Sequence, residues 1–268
     1  MTTPTPTPDV PLRMELTFEL PGTPEQLWDA IATANGISSW FLPTDLEERA
    51  GGAIVTHMGP DDSPGTVTGW DPPRRLEYEE PDWVRLTGHG DAVATPLVTE
   101  FLVEARSGGS CVLRVVSSAF GTGANWEQEF FDEMEKGWRP YFDRLRLYLT
   151  HFRGQRVTLL DVQASLAGTG DAVFEAMRND LGIEQVGQTF ELRDLRGTIE
   201  RLGDVELLVR LNNPVPGFLA VAVLDMGDNK TTAVVQGQLF AERAAAVVER
   251  EQPEWQAWLE SLALTMAR

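Results

Sequence analysis

ELPGTPEQLWDAIATANGI, residues 19–37, returns later in the chain as SLAGTGDAVFEAMRNDLGI, residues 165–183. The two stretches align without a gap at an offset of 146. Leu20, Gly22, Thr23, Ala30, Gly36 and Ile37 recur as Leu166, Gly168, Thr169, Ala176, Gly182 and Ile183, while Leu27, Trp28 and Ile31 become Val173, Phe174 and Met177. A second match closes each half. Trp138, Tyr141, Phe142, Leu145, Leu147 and Leu149 answer to Trp255, Trp258, Leu259, Leu262, Leu264 and Met266 at an offset of 117. Two matches in the same order, at opposite ends of each half, identify a duplication. The drop in offset shortens the second copy by 29 residues between its first and last helices, and the boundary falls near Phe152 to Gln155.

Each repeated stretch carries helix-start chemistry. Thr23 and Gln26 make a capping box, and Pro24 sits at the first helical position, where its missing N–H costs nothing. The second copy offers Thr169 or Asp171 as its cap. Before the first helix, Met14, Leu16, Phe18 and Leu20 alternate as a half-buried strand does. Further strands are predicted at 53–58, 65–71, 74–80, 97–105 and 110–118, separated by polar Gly/Pro/Asp turns that imply antiparallel pairing. Trp126, Phe130, Met134, Trp138, Tyr141 and Leu145 then recur at helical spacing, predicting a long helix over 124–149 with a kink at Gly137 and Pro140. The second copy predicts strands at 156–166, 197–202, 205–211, 218–225 and 231–239, with helices at 171–181 and 241–266.

This order predicts an α+β fold of two tandem helix-grip domains, each a curved antiparallel sheet around a long C-terminal helix, the second with a reduced sheet. The expected division is a disordered tail at 1–11, a cavity-bearing domain at 12–153 and a shorter domain at 154–268. The tail, MTTPTPTPDVP, lacks the basic and apolar regions of a secretory signal. With a single cysteine, Cys111, no intrachain disulfide can form, which fits a reducing compartment, taken here as the cytoplasm. A formal charge of -19 disfavours nucleic acid and anionic membrane surfaces as partners.

The runs GTPEQLWDAIATANGISSWF (22–41) and GTVTGWDPPRRLEYE (65–79), together with the Trp126–Leu149 helix, resemble the SRPBCC (START-like) superfamily. Within it they are similar to the group homologous to the activator of heat-shock protein 90 ATPase. The resemblance covers residues 12–150; beyond that it rests on the internal repeat. It implies a helix-grip fold with an internal cavity for lipids, polyketides or other apolar molecules. It brings no universal catalytic motif.

Aromatic residues supply the candidate ligand contacts, because they give large apolar area. Trp40, Phe41 and Trp83 are expected at the rim, Trp126, Phe130 and Met134 on the last helix over the cavity mouth, and Trp70, Phe101 and Phe120 along the lining. Trp28, on the first helix's apolar stripe, reads as core. His57 and His89 are the weaker acid–base candidates, His57 as a strand residue able to face the cavity and His89 as part of a lid in Gly88-His89-Gly90. Arg85 and Arg114 are candidates to neutralise a ligand carboxylate. No spacing of the three histidines suggests a metal, no cofactor motif is present, and no catalytic residue is assigned. Gly121-Thr122-Gly123 only superficially looks phosphate-binding, and the acidic run from Glu127 to Glu135 reads as a solvated helix face. The expected function is binding of an apolar or aromatic small molecule. Regulation of a protein partner, in the manner of a co-chaperone, is the alternative, and cyclase- or hydrolase-like catalysis the third reading. The oligomeric state is left open.

Overall fold

The computed structural model describes residues 7–58, 62–225 and 229–266. The chain divides into two compact units, residues 1–154 and 155–268. In the first, β1 (Val10–Pro21) leads into α1 (Pro24–Ile31) and the short α2 (Ala34–Ser38). A meander follows: β2 (Thr44–Leu46), β3 (Ala53–His57), β4 (Asp62–Asp71), β5 (Arg75–Glu80), β6 (Leu97–Ala105) and β7 (Ser110–Gly121). The unit closes with α3 (Asn125–His151). The strands form one antiparallel sheet in the order β1-β7-β6-β5-β4-β3-β2, in which the last strand returns to pair with the first. Of the predicted tail, residues 1–6 lie outside the described residues, while Val10 and Pro11 already belong to β1, paired with Gly121 and Phe120.

Local chemistry explains the element boundaries. The Thr23 hydroxyl accepts from Gln26 N, and Gln26 Oε1 accepts from Thr23 N at 3.0 Å, so both halves of the capping box form. Helix α1 buries Leu27, Trp28, Ala30 and Ile31. Helix α3 runs on through Pro140 and buries Phe131, Trp138, Phe142, Leu145 and Leu149. Phe142 stacks on Phe18 of β1, with ring centroids 4.0 Å apart. Burying an aromatic side chain of this size stabilises a fold by roughly 3 kcal/mol.

The second unit repeats the plan with β8 (Thr158–Ala167), α4 (Gly170–Asp180), β9 (Thr189–Leu192), β10 (Leu195–Leu202), β11 (Glu206–Asn213), β12 (Gly217–Asp225), β13 (Lys230–Leu239) and α5 (Ala244–Met266). Its sheet order is β8-β13-β12-β11-β10-β9. Thr169, not Asp171, is the N-cap of α4. Among the described residues β2 has no counterpart, and residues 81–96 between β5 and β6 shrink to 214–216 between β11 and β12. The sheet and α5 enclose an apolar core that includes Val209, Leu211, Leu219, Val235, Trp255 and Leu259.

Candidate functional site

The first sheet turns one face toward α3. Strand alternation assigns that face: Leu76 and Tyr78 on β5, Leu97, Thr99, Phe101 and Val103 on β6, and Cys111, Leu113, Val115, Ser117 and Ala119 on β7 are all buried. Directly opposed residues of an antiparallel pair share a face, so the ladders place Tyr78, Thr99 and Ser117 in one row across β5, β6 and β7. Thr99 and Ser117 hydroxyls lie 3.0 Å apart. One step further along, Glu80 points to the same side, opposite Leu97. Ser63 on β4 donates its hydroxyl to Glu80 Oε1 at 2.5 Å, and Thr56 on β3 stands opposite Ser63. A polar strip thus crosses an otherwise apolar wall.

Glu80 is unusual among these groups. It remains half-buried, so solvent reaches it, yet it is surrounded by protein. Burial pushes its carboxyl above the usual carboxylate range, with the Ser63 hydroxyl working the other way. Burial and then the neighbouring Glu80 charge push the Tyr78 phenol up, partly offset by Thr99. Gly65 leaves room beside Glu80: a Cβ there would lie 3.3 Å from Glu80 Cγ and 2.6 Å from the Glu79 carbonyl oxygen.

Aromatic rings form two groups around this strip. Phe41 stacks on Trp138 at 4.8 Å, Trp138 meets Phe101 edge-on at 6.0 Å, and Phe101 approaches Tyr78 at 6.3 Å. Nearer the start of α3, Trp83 packs against Trp126, Phe130 and Phe131 at 5.0–6.0 Å. Trp83 lies in a short 3-10 turn, Trp83–Thr87, and its indole donates to the Thr95 carbonyl at 2.9 Å. His89 lies flat on Trp126 at 4.4 Å and is held by the Thr87 carbonyl at 2.9 Å. Trp126, Phe130 and Met134 are half-buried on α3.

Other expected positions fall elsewhere. Trp40 is fully buried, its indole spent on the Ala30 carbonyl at 2.8 Å, so it is core and not rim; Trp83 is likewise buried. Trp70 is half-buried and meets Trp28 of α1 edge-on at 5.1 Å. Phe120 is 48% exposed, because Ala119 and Gly121 take the inner face. His57 sits on the outer face, opposite in sense to Ile54 and Thr56, where Asp62 and Asp45 hold it at 2.8 and 3.1 Å. Hydrogen bonds from these two carboxylates raise its pKa, Asp62 first. Arg114 pairs with Glu15, and the exposed Arg85 donates to the Asp62 carbonyl; neither reaches the interior as a counter-ion for a carboxylate. Cys111 is buried, donates to the Gly22 carbonyl, and has its thiol pKa raised by burial and by Glu25.

Glu127 departs from the solvated-face expectation. It is fully buried, and its carboxylate accepts from the backbone N–H of Thr122, Gly123 and Ala124 and from the Thr122 hydroxyl, at 2.8–3.1 Å. Burial would raise its pKa; these four donors outweigh it and hold the carboxyl low. The Gly121-Thr122-Gly123 loop therefore cradles an anion that the chain itself supplies. A separate open groove of about 710 Å³ runs between Thr17–Pro21, Gly108–Ser110, Arg146 and Thr150, remote in sequence and fold from the polar strip. Among the described residues no group of three metal-ligating side chains occurs, and no helix is long and apolar enough to cross a membrane.

The duplication makes the strip informative. Carrying the offset of 146 from β1 to β8 and following the ladders outward places Ser117 on Gly237, Thr99 on Leu219, Tyr78 on Val209 and Glu80 on Leu211. The next pairs place Ser63 on Leu195 and Thr56 on Leu192. Gly65 falls on Gly197, whose added Cβ would likewise press on a carbonyl oxygen, that of Arg210. The backbone device is kept in both copies while six polar or tyrosyl positions become Leu, Val or Gly. The fold does not need the strip. Sequence reading missed it, although Glu80, Thr99 and Ser117 stand on the apolar side of their strands' alternation.

A helix-grip domain with a polar strip inside defines the class, and comparison with known proteins gives the family. Residues 21–150 match the family described as Activator of Hsp90 ATPase homolog 1-like protein, so the first unit is a domain of that family, within the SRPBCC superfamily. No curated protein matches the chain. Among solved structures it is similar to a protein from Mesorhizobium loti, at 17% identity over 53% of this chain and 98% of that one, TM-score 0.44. It is also similar to DynU16 of the dynemicin biosynthetic locus, at 17% identity over 97% and 99% of the two chains, TM-score 0.41. The di-domain ARO/CYC protein BexL of the BE-7585A biosynthetic pathway gives 10% identity over 94% and 95%, TM-score 0.44.

Proposed function

We propose that the first unit binds a small molecule with an apolar or aromatic body in the space between its sheet and α3, and that the second unit does not. The observation that carries this reading is the asymmetry between the copies. Where the second copy fills its interior with Val209, Leu211, Leu219 and Leu195, the first keeps Tyr78, Glu80, Thr99 and Ser63. A buried hydroxyl or carboxyl costs stability unless something repays it, and its twin manages without one. Aromatic walls with a few convergent polar groups are what a small-molecule site requires. Trp126, Phe130 and Met134 form the entrance, with the buried Trp83 packed behind them and His89 as its cover.

Native mass spectrometry of protein purified from its own host, followed by thermal-shift screening against lipids, polyketides and aromatic compounds, tests the reading. A true guest at a hundredfold excess over its Kd stabilises the native state by about 2.7 kcal/mol. In a chain of this size that raises Tm by roughly 5–10 °C. Thr99→Trp, which fills the interior, should abolish the shift. If no apolar compound is retained and none moves the melting curve, the reading fails.

A further inference from the structure

We infer that the guest carries a protonated amine, held by the Glu80 carboxylate in the polar strip. The inference rests on the binding reading above and deepens it.

Three features on the inner wall point to a cation. First, the Glu80 carboxyl has Ser63 as its hydrogen-bond partner, on Oε1, and no arginine or lysine among the described residues pairs with it. A partly enclosed carboxylate without a counter-ion is unfavourable, and a guest cation supplies what the chain withholds. Second, aromatic rings adjoin the strip, Phe101 beside Tyr78 and Trp138 beside Phe101, and an aromatic π face favours a cation over an anion. Third, the formal charge of -19 attracts cationic solutes and repels anionic ones. The residues nearest the strip add no positive charge: Thr56, Ser63, Thr99 and Ser117 are neutral hydroxyls, and Arg75 is engaged on the opposite face by Glu77 and Glu100. A guest recognised through a carboxylate or phosphate would meet like charge with no cationic donor to receive it. In the second copy the equivalent position is Leu211, which leaves nothing for an amine to pair with.

The test uses the full chain and three probes of one shape: 2-naphthylmethylamine, 2-naphthylmethanol and 2-naphthoate, titrated by calorimetry at neutral pH in moderate and high salt. The amine should bind at least about tenfold more tightly than the alcohol, the margin of one charge-assisted hydrogen bond, and the carboxylate should bind weakest. Glu80→Gln should bring amine and alcohol to within about threefold of each other, through loss of amine affinity. Glu80→Leu, which installs the second copy's residue, should do the same. Amine and alcohol binding equally to the unmodified protein, or an amine preference that survives both substitutions, would overturn the inference and leave the binding reading standing. The latter pattern, if it fades in high salt, assigns the preference to net charge and not to Glu80. Failure of all three probes to bind the unmodified protein removes the binding reading and this inference together.

Discussion

Two glutamates of one domain, Glu127 fully buried and Glu80 half-buried, have opposite effects on its stability. Glu127 is paid in full by four donors at the start of α3, so its pKa is depressed on folding. A depressed acid contributes stability that is present above its unfolded value and lost as pH falls through the folded one. Glu127→Ala should therefore cost about 2–4 kcal/mol in urea unfolding near pH 7, with the gap to the unmodified protein narrowing in acid. Gly121→Ala should damage the same loop, because its Cβ would fall 2.4 Å from Glu127 Oε2. Glu80 runs the other way. Its folded pKa is raised by burial, so its penalty begins as pH rises past the unfolded value and is complete above the folded one. Glu80→Gln should raise Tm by roughly 2–4 °C at neutral pH, about 1 kcal/mol, and by little at pH 4. A Tm that falls at neutral pH would mean that Glu80 is a structural group, not one retained for a guest. A group that weakens its own domain and is absent from its twin is the signature of a functional residue.

At the level of elements, the copies differ most where the site opens. Residues 81–96 of the first unit hold the Trp83 turn, the Trp83–Thr95 clasp and the His89–Trp126 stack; their counterpart, Pro214-Val215-Pro216, has room for none of these. Trp126→Ala should leave the sheet intact but speed hydrogen exchange in residues 88–95, since that stretch would lose its stacking partner on α3; unchanged exchange would remove its role as a cover. The sequence made the helices and most strands legible, because their periodicities and caps are local. It hid β2, α2 and β9, each five residues or fewer, too short for a period to show. The polar strip was hidden for a different reason. Its correspondence with the second copy changes offset between elements as loops shorten, and only the hydrogen-bond ladders restore the register. Rim and lining assignments failed at Trp40 and Phe120 because a tryptophan satisfied by the Ala30 carbonyl belongs in the core, and because one residue's difference along β7 decides which face a side chain takes.

For the molecule as a whole, the duplication produced two units with separate cores, and a separate core is what independent folding requires. The first gathers Trp40, Phe101, Phe131 and Phe142 among its fully buried side chains; the second gathers Leu219, Val235, Trp255 and Leu259. Division after Gly154, at the boundary between the units, should therefore yield two fragments, 7–154 and 155–266, that each unfold cooperatively in urea. The guest should separate them further. An apolar ligand identified on the full chain should raise the melting temperature of the 7–154 fragment by nearly the same amount, and leave that of the 155–266 fragment unmoved, because Leu195, Val209, Leu211 and Leu219 occupy the positions that hold the polar strip in the first copy. A second fragment that melts without cooperativity would show that its core depends on the rest of the chain. Equal protection of both fragments would show that hydroxyl and carboxyl groups inside the first sheet have no part in choosing what the protein holds.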